Sequence, residues 1–243
     1  MYKNTFSNKK AAIFDLDGTL VDTESYWKRA FLAVANTLTG YWVYPEGKEF
    51  SGYSMIDKWE HAIREQPREV NITLGELVEK TNQKFLQMLP DDFDVKDGFW
   101  PLTVKLKDER GFKLGLVTNT YREVANEILN KLGIKQTFDV VICGDEVDVR
   151  KPNPEIYKLA SEKLKINPKH MIAFEDSVAG ATAASRAGLQ TIVIWDGINS
   201  QDDYPESVVD FLPDFTPITN EVIDNTTMDI LTKAKELLSG NSN

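Results

Sequence analysis

Residues 11–20 read Ala-Ala-Ile-Phe-Asp-Leu-Asp-Gly-Thr-Leu. Four small or apolar residues run into two aspartates one residue apart, and Gly18 comes next. A short apolar run stopped by Gly predicts a buried strand ending at a turn. Side chains alternate along a strand, so Asp15 and Asp17 leave its C-terminal end toward the same side. Two carboxylates that close repel each other unless a cation or a shared proton separates them. An Asp-Gly turn alone would account for residues 17 and 18. The buried strand in front of the pair points instead to chemistry at a strand end.

Beyond Leu20 the chain changes style twice. Residues 25–38 carry Tyr26, Ala30, Phe31, Val34 and Leu38 at helical spacing, with Asp22, Thr23 or Ser25 as a cap. Gly40 and Pro45 break the pattern, and 46–54 reads as a two-glycine loop. Helices are expected over 55–65, ending before Pro67, and over 74–89, ending at Pro90. From Gly98 onward strands and helices alternate. Strands are expected at 113–117, 138–143, 171–174 and 191–195, and helices at 102–110, 124–132, 155–164, 178–187 and 222–238. That alternation predicts an α/β fold, a Rossmann-like parallel sheet flanked by helices. The core is expected in two pieces, 1–23 and 94–243, with an all-helical insertion over 24–93. Sites in open parallel sheets lie beyond the carboxyl ends of the strands, so the insertion would cover the site as a lid.

Composition sets bounds. The 243 residues carry a net charge of −10, with 42% hydrophobic and 27% charged residues, as expected of a globular chain with a core. An acidic chain does not attract a phosphate backbone, so nucleic acid is not an expected partner. Cys143 is the only cysteine, which fits a cytoplasmic setting. No apolar run reaches the length of a membrane span, and residues 1–10 lack the apolar stretch of a secretion signal. A monomer or small homo-oligomer is expected.

Four strand ends carry polar groups: Asp15 and Asp17; Thr118 and Asn119; Lys151, in 150–154 Arg-Lys-Pro-Asn-Pro; and Glu175 and Asp176. Each has a structural explanation of its own, as a turn, a cap or a solvated charge. Together they describe one site. Carboxylates from several strand ends call for a hard cation with oxygen ligands, and Mg²⁺ fits. A hydroxyl, an amide and a lysine around it suit a phosphoryl group, with backbone N–H groups at Gly18 and the helix starts as further donors. His61 and His170 are the only histidines, so zinc chemistry has no support.

In these motifs the chain resembles the haloacid dehalogenase superfamily of phosphotransferases. The motifs are Asp-Leu-Asp-Gly-Thr-Leu at 15–20, Thr118 after Leu-Gly-Leu-Val, Lys151 in Lys-Pro-Asn-Pro-Glu-Ile-Tyr, and Phe-Glu-Asp-Ser-Val-Ala-Gly at 174–180. The insertion looks like the helical cap of its β-phosphoglucomutase-like, small-phosphatase branch. The resemblance implies that Asp15 is the nucleophile and forms an aspartyl-phosphate. Asp17 would protonate the leaving alcohol, then activate water, with its backbone carbonyl on Mg²⁺. Asp176 would bind Mg²⁺, supported by Glu175. Thr118 and Asn119 would hold phosphoryl oxygens, beside the Gly18 donor already read from the turn, and Lys151 would neutralise charge on Asp15 and the phosphate. The substrate would be a small phosphorylated metabolite. β-Phosphoglucomutase has His where this chain has Trp27, and Arg where it has Met55, so a second phosphate lacks its grip. Hydrolysis of a monoester is therefore favoured over the mutase reaction. A phospho-receiver domain, which also gathers acids, Thr and Lys around Mg²⁺, is the alternative from another class. Trp27 and Tyr53 are further candidates for contact with the leaving group, as an aromatic wall suited to a flat or apolar alcohol.

Overall fold

The computed structural model describes residues 5–47, 50–65 and 71–219. Six strands form one parallel sheet: β1 (Ala11–Phe14), β2 (Lys113–Val117), β3 (Val140–Ile142), β4 (Met171–Glu175), β5 (Gln190–Ile194) and β6 (Val208–Leu212). Their order is β3-β2-β1-β4-β5-β6. The chain therefore walks outward from β1 to β3, returns to β4, and walks out the other way. The reversal falls at β1, which is where an open α/β sheet forms its crevice. Ala11 pairs with Lys113 on one side and Met171 on the other, so the ends of β1, β2 and β4 are level.

β1 is buried along its whole length, which explains its unbroken apolar run. Alternate residues serve opposite faces. Ala12 and Phe14 join Leu114, Leu116, Ile172 and Phe174 on one face, and Ala11 and Ile13 join Val117, Met171 and Ala173 on the other. Phe14 stacks on Phe174 at 4.7 Å and meets Phe99, Phe138 and Phe215 edge-on.

Helices α1 (Glu24–Ala35), α2 (Met55–Glu65) and α3 (Leu74–Met88) follow β1. They enclose a cluster of their own around Phe31, Trp42, Trp59 and Leu77. Trp59 stacks on Phe31 and donates its indole N–H to Thr81 Oγ1 at 2.9 Å. Thr73 and Glu76 form a reciprocal capping box at the start of α3. The later helices are α4 (Phe99–Val104), α5 (Arg122–Lys131), α6 (Glu155–Leu164) and α7 (Val178–Ala187). Among the described residues no helix is long and apolar enough to cross a membrane.

The structure departs from the sequence reading in four places. α4 starts at Phe99, ahead of Pro101, because proline is tolerated in a first turn, and it continues as a π-turn over Lys105–Glu109. β3 starts at Val140, since Phe138 turns into the aromatic cluster instead. β6 was not expected. Its Val-Val-Asp-Phe-Leu run is a half-buried edge strand, too short to show a clear period. Thr23 stands at the N-cap of α1, yet its hydroxyl makes no capping bond. The expected helix over 222–238 lies outside the described residues, as does Pro67.

The Trp59–Thr81 bond yields a test of the helical layer. Thr81→Val leaves a buried indole N–H without an acceptor and should cost about 1–3 kcal/mol in chemical unfolding. Thr81→Ser, which keeps the hydroxyl, should cost less. Equal stability of the valine variant and the wild type would contradict this role.

Candidate active site

β1 delivers Asp15 to the centre of the sheet edge. Its backbone N–H bonds Phe174 O at 3.0 Å, continuing the ladder one residue past the strand. Lys151, from the loop before α6, reaches under it. The Nζ lies 2.5 Å from Asp15 Oδ1, 2.6 Å from Glu175 Oε1 and 3.2 Å from Val117 O. Glu175 ends β4, is fully buried, and also accepts the Tyr157 hydroxyl at 2.5 Å. One ammonium thus serves carboxylates from two neighbouring strands. Burial disfavours that ammonium, but the Asp15 and Glu175 charges outweigh it and hold its pKa above the usual lysine value.

The negative side is over-supplied. Asp15, Glu175 and Asp176 each offer a carboxylate oxygen within 4.8 Å of the others. Burial pushes the Asp15 carboxyl up to about 8, with Lys151 opposing and Glu175 reinforcing the shift. Asp176 is also pushed up, by burial and then by the Asp15 and Glu175 charges. Clustered carboxylate oxygens, with no sulfur or imidazole among them, suit a hard divalent cation. The Asp17 side chain is not in this group, in keeping with the expectation that Asp17 offers the metal its backbone carbonyl rather than its carboxylate.

Asp17 has different company. Its Oδ1 accepts Thr23 Oγ1–H at 2.7 Å and the Trp27 indole N–H at 2.9 Å. Its Oδ2 accepts Thr120 Oγ1–H at 2.7 Å and Thr118 Oγ1–H at 3.3 Å. The two oxygens are not equivalent. An indole only donates, whereas a hydroxyl can rotate and accept. Oδ1 thus always faces one fixed donor, while both partners of Oδ2 are hydroxyls that can turn either way.

Gly18 turns the chain with φ +81, and a Cβ there would lie 2.2 Å from Asp176 Oδ2. That close approach explains the glycine. Its N–H is taken by Val21 O at 2.7 Å, closing the turn, so it is not the free donor expected from the sequence. Asn119 also has partners: Nδ2 donates to Gly52 O at 2.8 Å and Oδ1 accepts Lys151 N–H at 3.1 Å. It ties the lysine loop to the loop before α2. Gly52 in turn sits where a Cβ would meet Ser177 Oγ at 2.4 Å.

A cavity of about 680 Å³ opens over these groups, lined by Asp15, Asp17, Lys151 and Asp176 below and by α1–α3 residues above. Trp27 and Tyr53 both line it. Trp27 is buried, with its ring stacked 3.6 Å from Phe85, so it meets the site through its N–H. Tyr53 is 41% exposed at the cavity wall. Sequence reasoning missed Thr23, Thr120 and Tyr157 as partners of the acids. Thr120 carries a readable signal, two residues beyond Thr118. Tyr157 carries another, in the segment that begins at Lys151.

Residues 12–194 match the family of haloacid dehalogenase-like hydrolases. A phosphorylated carbohydrates phosphatase of Thermotoga maritima is 30% identical over 187 residues, covering 75% of this chain and 83% of that protein. A validoxylamine A 7'-phosphate phosphatase of Streptomyces hygroscopicus subsp. limoneus is 33% identical over 192 residues, 74% of this chain and 83% of its own. The crystal structure of CbbY from Rhodobacter sphaeroides in complex with xylulose-(1,5)bisphosphate superposes with a TM-score of 0.76 at 25% identity. It covers 85% of this chain and 95% of that one.

The Asp17 contacts generate a prediction. Trp27→Phe keeps a ring over Phe85 and removes the N–H from Oδ1. The bond positions Asp17, and losing a general acid outright costs about 10²- to 10⁴-fold, so turnover of a phosphomonoester should fall roughly tenfold or more. Steady-state kinetics at equal thermal stability checks this, and an unchanged kcat would contradict it.

Proposed function

The chain belongs to the haloacid dehalogenase-like hydrolases, and on that premise we propose that it is a Mg²⁺-dependent phosphatase of a small phosphorylated metabolite, working through an aspartyl-phosphate. The observation that carries this reading is Lys151 held between Asp15 and Glu175, with Asp17 beside them on a separate set of donors. That separation gives the two aspartates different work. The relatives named as phosphatases of phosphorylated small molecules support the same class of substrate.

Asp15 attacks phosphorus with the oxygen Lys151 does not hold. The ester P–O bond breaks as Asp17 passes a proton to the leaving oxygen. Water then attacks the aspartyl-phosphate, Asp17 takes its proton back, and inorganic phosphate leaves with Asp15 restored. Lys151 keeps the nucleophile in place and offsets charge gathered beside it. Asp15, Asp176 and the Asp17 backbone carbonyl would hold Mg²⁺, with Glu175 behind them. Mg²⁺ there would neutralise phosphoryl oxygens as the carboxylate approaches. Residues 24–93 act as a cap that limits water in the cavity.

Two observations favour this over the alternatives. Met55 lines the cavity at the position where the resemblance to β-phosphoglucomutase would place an Arg, so that grip on a second phosphate is missing. Both aspartates leave the end of one strand, unlike the arrangement in a phospho-receiver domain.

Asp15→Asn should abolish phosphate release from nitrophenyl phosphate while the fold survives. A chelator should stop the wild type and added Mg²⁺ should restore it. Normal turnover by a folded Asp15→Asn variant would overturn the nucleophile assignment. Full activity in chelator would overturn the cation site.

A further inference from the structure

The loop that follows β5 sends one side chain back toward the acidic cluster. Tyr204 stands just past the 3-10 turn Gln201–Asp203 and is buried. Its hydroxyl donates to the backbone carbonyl of Asp176 at 2.5 Å. Asp176 lines the cavity over Asp15 and Tyr204 does not, so the tyrosine reaches the site through Asp176.

Asp176 occupies a junction in the main chain. The pairing of β4 with β5 ends at Glu175 and Val193, and α7 starts at Val178 with Ser177 as its N-cap. Asp176 lies between the two, outside both regular bonding patterns, so other groups have to hold it. Thr19 donates to its Oδ1 at 3.0 Å, and Gly18 packs against the carboxyl, where a Cβ would lie 2.2 Å from Oδ2. Both of these contacts come from the β1 side. Tyr204 supplies the hold from the β5 side.

The support behind the tyrosine is well braced. Ser200 and Asp203 form a reciprocal capping box over the turn. Trp195 donates its indole N–H to Asn199 O at 2.9 Å, and the Tyr204 N–H bonds Gln201 O at 3.2 Å. The Tyr204 ring packs with Ala181 and Val193 and meets Phe211 edge-on at 5.2 Å. A phenylalanine would make the same ring contacts, so packing does not call for the hydroxyl.

We propose that Tyr204 is a positioning residue for the cation: by holding the Asp176 carbonyl it fixes the main chain from which the Asp176 carboxylate reaches Mg²⁺. The proposal rests on the cation site proposed above and deepens it. Lys151 pairs with Asp15 and Glu175, whereas Asp176 has only the Thr19 hydroxyl among the side-chain bonds described. Of the three clustered carboxylates, Asp176 is therefore the one that mutual repulsion displaces most readily. A hydrogen bond on its carbonyl resists that displacement and leaves the carboxylate oxygens to the cation.

Isothermal titration calorimetry of Mg²⁺ into the full chain reads the effect without turnover. Tyr204→Phe keeps the ring contacts and removes the hydroxyl, and it should weaken Mg²⁺ binding about tenfold. The Mg²⁺ concentration that half-saturates phosphate release from nitrophenyl phosphate should rise by a similar factor. At saturating Mg²⁺, kcat and KM for the ester should return to within about twofold of wild type. A tyrosine that serves stability alone would lower the melting temperature of the metal-free protein and leave Mg²⁺ affinity unchanged, and that result would overturn the inference. So would a loss of kcat that saturating Mg²⁺ does not restore. Asp176→Ala tests the parent reading separately. If the wild type binds Mg²⁺ and Asp176→Ala does not, unchanged affinity in Tyr204→Phe overturns the tyrosine's role alone; no Mg²⁺ binding by the wild type overturns both.

Discussion

A single buried ammonium holds the site together. Lys151 bridges Asp15 at the end of β1 and Glu175 at the end of β4, the two strands that meet at the sheet's reversal. Uncompensated carboxylates at this depth would protonate or splay apart; the lysine opposes both, although burial still holds the Asp15 carboxyl above the usual range. Its neighbours are shaped to keep it there. Tyr157 donates to the same Glu175 oxygen, and Asn119 accepts the Lys151 backbone N–H. Gly180 leaves room for Glu175, since a Cβ would lie 2.0 Å from its Oε2. The fold supplies level strand ends, and this lysine turns them into a site.

The helical layer is joined to that site through polar contacts rather than packing alone. Trp27 and Thr23, at the start of α1, both donate to Asp17, and Gly52 accepts from Asn119 while lying against Ser177. The proposed proton carrier is thus oriented by the same segment that lines the upper cavity. A change in the position of α1 would be felt at Asp17 Oδ1, where both bonds end.

Much of this is legible from residues 11–20 and the alternation after Gly98, because a fully buried strand reads as an unbroken apolar run and turns announce themselves with Gly. Asp15, Lys151, Glu175 and Asp176 come together as the motif spacing implies. Other features are hidden for physical reasons. β6 is short and half-buried, so its pattern carries little period. The Gly18 N–H and the Asn119 amide look like donors in the sequence, but local turn and loop geometry uses both. Lys58 lies in an amphipathic helix among other charges, and only the fold sets it against Glu24 and Tyr44. Trp27 reads as an aromatic face in the sequence; packing on Phe85 turns it into a donor.

In the proposed reaction the Asp15 carboxylate carries the phosphoryl group between two steps served by Asp17. The most direct measurement is mass spectrometry of an Asp17→Asn variant quenched in acid after mixing with Mg²⁺ and a phosphorylated substrate. With water activation crippled, the peptide containing residues 11–20 should gain one phosphoryl group, located at Asp15 and absent when Asp15 is also changed to Asn. A variant that turns over slowly while that peptide never gains mass would contradict the account.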